Sequence, residues 1–259
     1  MSLNFKKLSP VMAVIFLVGA SVVTMHARAD SADTKEKPRL YTYVAIWNFP
    51  RADWSAVNTP SPAARDLAAK SLASGKLVGV GDASSLMHHL DGTTHMNWWS
   101  SMTQAGLFTY LDDEGALPAN PVLEKSTRHA DFIVSSTHYN RKAVTVKSGY
   151  QMVSYFKFKA DAPEHSLTMI SKSVLEPVLE KLFAEGVLVE YQIASEEFQS
   201  GPSRGFWIES MATSADAMDK TAAAWREAEE KNPAFSGATS LIDWDSARDY
   251  IYHVDATLK

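Results

Sequence analysis

A chain of 259 residues without a single cysteine has no disulfide, no thiolate metal site and no cysteine nucleophile open to it. Its core alone must hold it together, which this length allows either as one domain or as two half-size units packed together. With 25 basic against 30 acidic residues and no basic cluster, nucleic acid is excluded as an expected partner, because neutralising phosphates takes grouped Lys and Arg.

Residues 1–29 read as a secretory signal. Lys6 and Lys7 start it, residues 11–23 are apolar, and Ala27-Arg28-Ala29 supplies small residues for cleavage after Ala29. The apolar run is too short to span a bilayer comfortably, although an uncleaved anchor is the alternative. Cleavage removes Lys6, Lys7 and Arg28 and leaves 22 basic against 30 acidic residues, a net charge of −8. The expected location is periplasmic or secreted, with no membrane span after signal removal.

Residues 30–38 are polar and form a lead-in. In 40–49, Tyr41, Tyr43, Ala45, Trp47 and Phe49 share one face and Val44 and Ile46 the other, the pattern of a strand covered on both sides. Ser61 caps a helix with Pro62 at its first position and Gly75 at its end. Segments 77–85 and 94–102 are strands joined through Asp91-Gly92. A helix over 104–111 follows Thr103, and 129–138 is a fourth strand. Residues 141–148 link to a second round: a strand at 150–158, a helix over 167–184 that Pro177 kinks or restarts, hairpin strands at 188–194 and 205–211, a helix from Ser214 to about Lys231, and a last strand at 248–254.

The two rounds are copies about 109 residues apart. YTYVAIWNF at 41–49 returns as YQMVSYFKF at 150–158. Trp98 with Ser101-Met102 returns as Trp207 with Ser210-Met211, Gly75-Lys-Leu-Val as Gly186-Val-Leu-Val, and Asp131-Phe-Ile as Asp249-Tyr-Ile. An internal duplication dictates how the rest is read. Each copy is β-α-β-β-α-β, so the expected class is α+β, with two tandem ferredoxin-like repeats at 40–140 and 149–255 packed sheet to sheet as an intrachain barrel. In element order and repeated aromatic strand, residues 40–255 resemble the dimeric α+β barrel superfamily. That resemblance implies a small apolar or aromatic ligand between the sheets, and in some members haem.

The densest chemistry is Met87-His88-His89-Leu90-Asp91-Gly92-Thr93-Thr94-His95. A two-residue type I′ turn at Asp91-Gly92 would set His88 opposite His95, with Cβ atoms about 5 Å apart. That suits a divalent metal or a shared proton, with His129 or His138 as a third ligand. The second copy has no histidine in this hairpin, which marks the pair as specific to the first. Asn97 and Trp99 extend the histidine face. Tyr43 and Trp47, with Tyr150 and Phe156 from the second copy, are candidate pocket walls. A haem would need His138 or its rough counterpart His253 on the pocket face.

No dinucleotide, phosphate-loop, nucleophile-elbow or metalloprotease motif is present. Three readings stay open. The first is an exported enzyme or binder of a small apolar or aromatic compound, with His88 and His95 as acid–base groups or metal ligands and Tyr43, Trp47, Asn97, Trp99 and His138 around the ligand. The second is a non-catalytic structural or partner-binding module of the cell envelope. The third is a metal- or haem-binding protein. Assembly as a homo-oligomer is compatible with each.

Overall fold

The computed structural model describes residues 37–59, 61–87, 89, 91–198 and 205–258. Its first half comprises β1 (Leu40–Asn48), α1 (Trp54–Val57), α2 (Pro62–Ala73), β2 (Gly79–Ser85), β3 (His95–Ser101), α3 (Gln104–Gly115) and β4 (Arg128–Arg141). The second comprises β5 (Gly149–Phe158), α4 (Ser166–Ile170), α5 (Glu176–Ala184), β6 (Leu188–Glu196), β7 (Gly205–Ala212), α6 (Ala215–Lys231), α7 (Ala234–Ser240) and β8 (Ile242–Leu258).

Local sequence sets most of these boundaries. Ser61, Thr103 and Ser214 accept a backbone N–H from three residues on, which satisfies a donor with no partner inside the helix. Gly75 and Gly186, equivalent in the two copies, follow α2 and α5 with φ of 74° and 76°, a left-handed conformation that glycine adopts without penalty. Pro177 stands in the first turn of α5, and a π-helical segment at Ser171–Leu175 joins α4 to it. The short helix α7 and the long β8 exceed the sequence expectation. Among the described residues no helix is long and apolar enough to cross a membrane.

The eight strands close into one antiparallel barrel in the order β1-β3-β2-β8-β5-β7-β6-β4. Each half contributes a four-stranded sheet in the same internal order. The halves join edge to edge through β2 with β8 and β4 with β6. Closure leaves no unpaired sheet edge. Val44, Met96, Trp98, Val153, Met211, Tyr252 and Val254 point inward and pack together. Gly81 makes room for Trp98, whose ring carbon lies 2.1 Å from where a Cβ on residue 81 would sit.

The outer faces are covered separately. In the second half Phe156, Phe206, Tyr191 and Ile193 pack under α4 to α7. In the first, Leu77, Leu107 and Tyr110 gather Tyr41, Tyr43, Val80, Trp99 and Ile133 beneath α2 and α3. The aromatic face of β1 therefore looks outward at helices, while Val44 and Ile46 look into the barrel.

Three expectations are corrected here. Asp91-Gly92 does not form a two-residue hairpin. Ser84 pairs with His95 and the Ser85 N–H donates to the Thr94 carbonyl, so the strands part well before Asp91-Gly92. There Asp91 Oδ1 accepts the Thr93 N–H at 3.0 Å, an Asx turn that uses Asp91 differently. His88 lies outside the described residues, and the register gives His95 a serine as its β2 partner. Next, a β-bulge between Ser135 and His138 turns His138 away from the interior, because one extra residue moves every later side chain to the opposite face. Finally, Trp98 and Trp207 are not at matching register. Val44 pairs with Trp98, whereas its counterpart Val153 pairs with Glu209 and Trp207 stands opposite Tyr155.

Candidate active site on the outer face of the first half

The register of β2, β3, β1 and β4 sets side chains in rows across the outer face. One row is Val80, Trp99, Tyr43 and Ile133. The next is Asp82, Asn97, Ala45 and Asp131, and the third is Ser84, His95, Trp47 and His129. The second half fills the corresponding β5–β7 pairs with Met152 and Ser210, Ser154 and Ile208, and Phe156 and Phe206. Its β8 adds Asp249 opposite Ser154 and His253 opposite Tyr150, so both halves carry polar groups on this face.

Within this face one constellation is connected. Asp131 lies close enough to the Tyr43 phenol to hold it above its ordinary range. The Asp131 Oδ1 lies 2.5 Å from His129 Nε2. The His129 ring in turn stacks on Trp47, with centroids 3.6 Å apart and planes 7° from parallel. The contact with Asp131 becomes an ion pair when the imidazole is protonated. Tyr43, Asp131 and His129 thus set a phenol, a carboxylate and an imidazole side by side. His129 and Asp131 are each more than a third exposed at the side chain, so a molecule from solvent can reach them.

The buried side of the face carries a second acid. Burial pushes the Glu114 carboxyl up to about 7. Its charge also acts on the phenols of Tyr43 and Tyr110, which burial raises further above their ordinary range. The Trp99 and Tyr110 rings lie 6.2 Å apart between centroids. Perturbed groups of this kind, gathered in one place, are the physical mark of a functional site.

His95 plays another part. It is 2% exposed, and its Nδ1 lies 2.9 Å from Thr94 Oγ1. The same hydroxyl lies 3.2 Å from the Trp47 carbonyl, which also accepts the Thr94 N–H. The ring packs edge-on against Phe49 and Trp54, and Arg51 lies over Trp54. Burial, with the Arg51 charge, lowers the pKa of His95 to about 4, so it is neutral at physiological pH.

The sequence-derived candidates therefore divide. Tyr43, Trp47, His95, Asn97 and Trp99 share this outer face, away from the space between the sheets. Tyr150 and Phe156 lie on the outer face of the second half. His138 bonds to Glu176 at 2.7 Å beneath α5, and His253 faces outward beside Ser148. Neither points into the barrel, so neither fits as an axial ligand for a haem there. Among the described residues no group of three or more His, Cys, Asp or Glu is placed to hold a metal ion. Asp131, Glu114 and Tyr110 were missed as site residues. The alternation His129-x-Asp131 was a visible signal, but its meaning depends on β1 lying alongside.

No family model matches the chain, and no curated protein is similar to it in sequence. Among solved structures it is similar to a candidate monooxygenase from Lactobacillus acidophilus NCFM, at 11% identity and TM-score 0.61 over 85% of this chain and 96% of that one. A second candidate monooxygenase, from Fusobacterium nucleatum subsp. nucleatum ATCC 25586, is 9% identical with TM-score 0.64 over 85% and 94%. An anthrone oxidase-like protein is 12% identical with TM-score 0.51 over 86% and 93%. The likeness is one of fold. These proteins belong to the dimeric α+β barrel superfamily, and the closed eight-stranded antiparallel barrel of this chain fits them.

Proposed function

We propose that this chain is an exported enzyme of the dimeric α+β barrel superfamily, a fusion of two ferredoxin-like units, that uses the outer face of its first half for acid–base chemistry on a small aromatic molecule. The observation that carries the reading is the Tyr43–Asp131–His129 relay beside Trp47. The equal strand order in both halves supports the fused-repeat description, and the signal-like start supports export.

His129 Nδ1 takes a proton from an acidic O–H or C–H of the bound ring. Asp131 holds the imidazole in the productive tautomer and stabilises the imidazolium that forms, while the Tyr43 hydroxyl keeps the carboxylate in place. Trp47, Trp99 and Tyr43 supply aromatic wall. Two candidate monooxygenases and an anthrone oxidase-like protein of the same fold favour oxidation of a phenolic or anthrone-type ring as the overall reaction. Fold alone does not carry function, so the test is direct. Oxygen consumption is followed with a set of phenols and anthrones. Turnover that falls on the order of 10²-fold or more in His129→Ala and Asp131→Asn supports the reading. Turnover unchanged in both, or absent in the wild type across the set, refutes it.

A further inference from the structure

On the other side of β1 and β3, inside the barrel, lies a cavity that the outer site does not use. Its walls include Val44, Ile46, Phe132 and Val153, and it opens in part to solvent. The second half contributes Gln192, Trp207 and Glu209 to the lining.

Two of these residues carry buried donors without an acceptor in the protein. Gln192 is 3% exposed. Its Oε1 accepts from Thr42 Oγ1 at 3.4 Å, and its Nε2 has no partner. The Trp207 ring lies between Phe132, at 5.0 Å, and Tyr155, at 4.5 Å, and its Nε1–H is likewise buried and unpartnered. Buried N–H groups are almost always satisfied in native proteins, so two on one wall call for an acceptor. Gln192 pairs with Glu209 and Trp207 with Ala194, which makes the two donors diagonal neighbours on the same face of adjoining strands. Glu209 accepts from Gln151 Nε2 and places a carboxylate in the same wall.

At one end of the barrel the Arg141–Glu190 ion pair sits inside, and the Tyr139 hydroxyl donates to the Pro38 carbonyl. At the other end Tyr250 lines the cavity and donates to Asp91 Oδ2 at 3.1 Å, tying β8 to the loop between β2 and β3.

We propose that this cavity is a second binding site, for a small neutral aromatic molecule bearing a carbonyl-type acceptor. Gln192 and Trp207 donate to the acceptor, the apolar walls take the ring, and Glu209 excludes carboxylates. The site is independent of the Tyr43–Asp131–His129 relay.

Calorimetric titration of the purified protein with acetophenone, ethylbenzene and benzoate tests this. Acetophenone should bind about tenfold more tightly than ethylbenzene, as expected for donors otherwise left unpaired, and benzoate should not bind. Gln192→Leu and Trp207→Phe, each checked for folding by its urea midpoint, should weaken acetophenone about three- to tenfold and leave ethylbenzene unchanged. In the wild type the Trp207 indole N–H resonance should move with acetophenone. His129→Ala should leave acetophenone binding intact, so this proposal and the acid–base reading can fail separately. Equal affinity for acetophenone and ethylbenzene, indifference to both substitutions, or no binding at all would overturn it.

Discussion

Glu114 offers a quantitative test of the electrostatics. Its carboxyl is lifted from 4.5 to about 7 because burial disfavours the charged form. Between those values the folded chain holds a proton that the unfolded chain has released. Stability therefore falls as pH rises through this window: the contribution is full below about 4.5 and gone above about 7. The gap corresponds to about 3 kcal/mol. Glu114→Gln keeps the volume and removes the titration. The unfolding free energy of the variant, measured in urea at a series of pH values, should gain about 3 kcal/mol on the wild type between pH 4.5 and 7.5. The wild type alone will not show this cleanly. His95, depressed from 6.5 to about 4, contributes stability that is full above 6.5 and is lost as pH falls towards 4, with the opposite slope. A difference between variant and wild type that stays constant with pH would refute the burial of Glu114 as the cause.

Three further outcomes follow from the same structure. His95→Phe should remove the acid-side loss and flatten the stability profile between about pH 4 and 6.5; an unchanged profile would mean that the imidazole is not buried neutral. Gly81→Ala should cost about 1–3 kcal/mol in urea unfolding, because the new methyl meets the Trp98 ring, and Trp98→Ala should cost about 3–5. A Gly81→Ala protein as stable as the wild type would contradict the packing of Trp98 against β2. His129→Ala and Asp131→Asn should each change stability by less than about 1 kcal/mol, since both side chains are partly exposed, while turnover falls on the order of 10²-fold or more. A loss of stability that tracks the loss of turnover would assign them a structural role.

Much of the architecture was legible because short-range chemistry encodes it. Ser61, Thr103 and Ser214 are local caps, Gly75 and Gly186 are local stops, and the repeated aromatic strand announces the duplication. The direction of the faces was not legible. Residues 40–49 are apolar on both sides, so alternation identifies a strand without saying that Val44 and Ile46 go inward and Tyr43 and Trp47 go outward. The hairpin register failed because Asp91 serves an Asx turn, a use that the dipeptide does not distinguish from a tight turn. His138 changed faces through a bulge, which depends on β6 lying alongside. Asn97, Trp99 and His95, which set the first copy apart in sequence, face Ala45, Tyr43 and Trp47 across β1 and β3. The relay itself joins residues more than eighty positions apart through the β1–β4 pairing, and no local pattern reports that pairing.

The seven tryptophans make the central claim directly measurable. Indole ¹⁵N–¹H spectra, assigned by single Trp→Phe variants, can be followed while a phenolic or anthrone-type ligand is titrated in. Binding at the outer face of the first half should move the Trp47 and Trp99 resonances and leave Trp225 and Trp244 of the second half in place. Movement confined to Trp225 and Trp244, or no movement of Trp47 and Trp99 at saturation, would contradict the site.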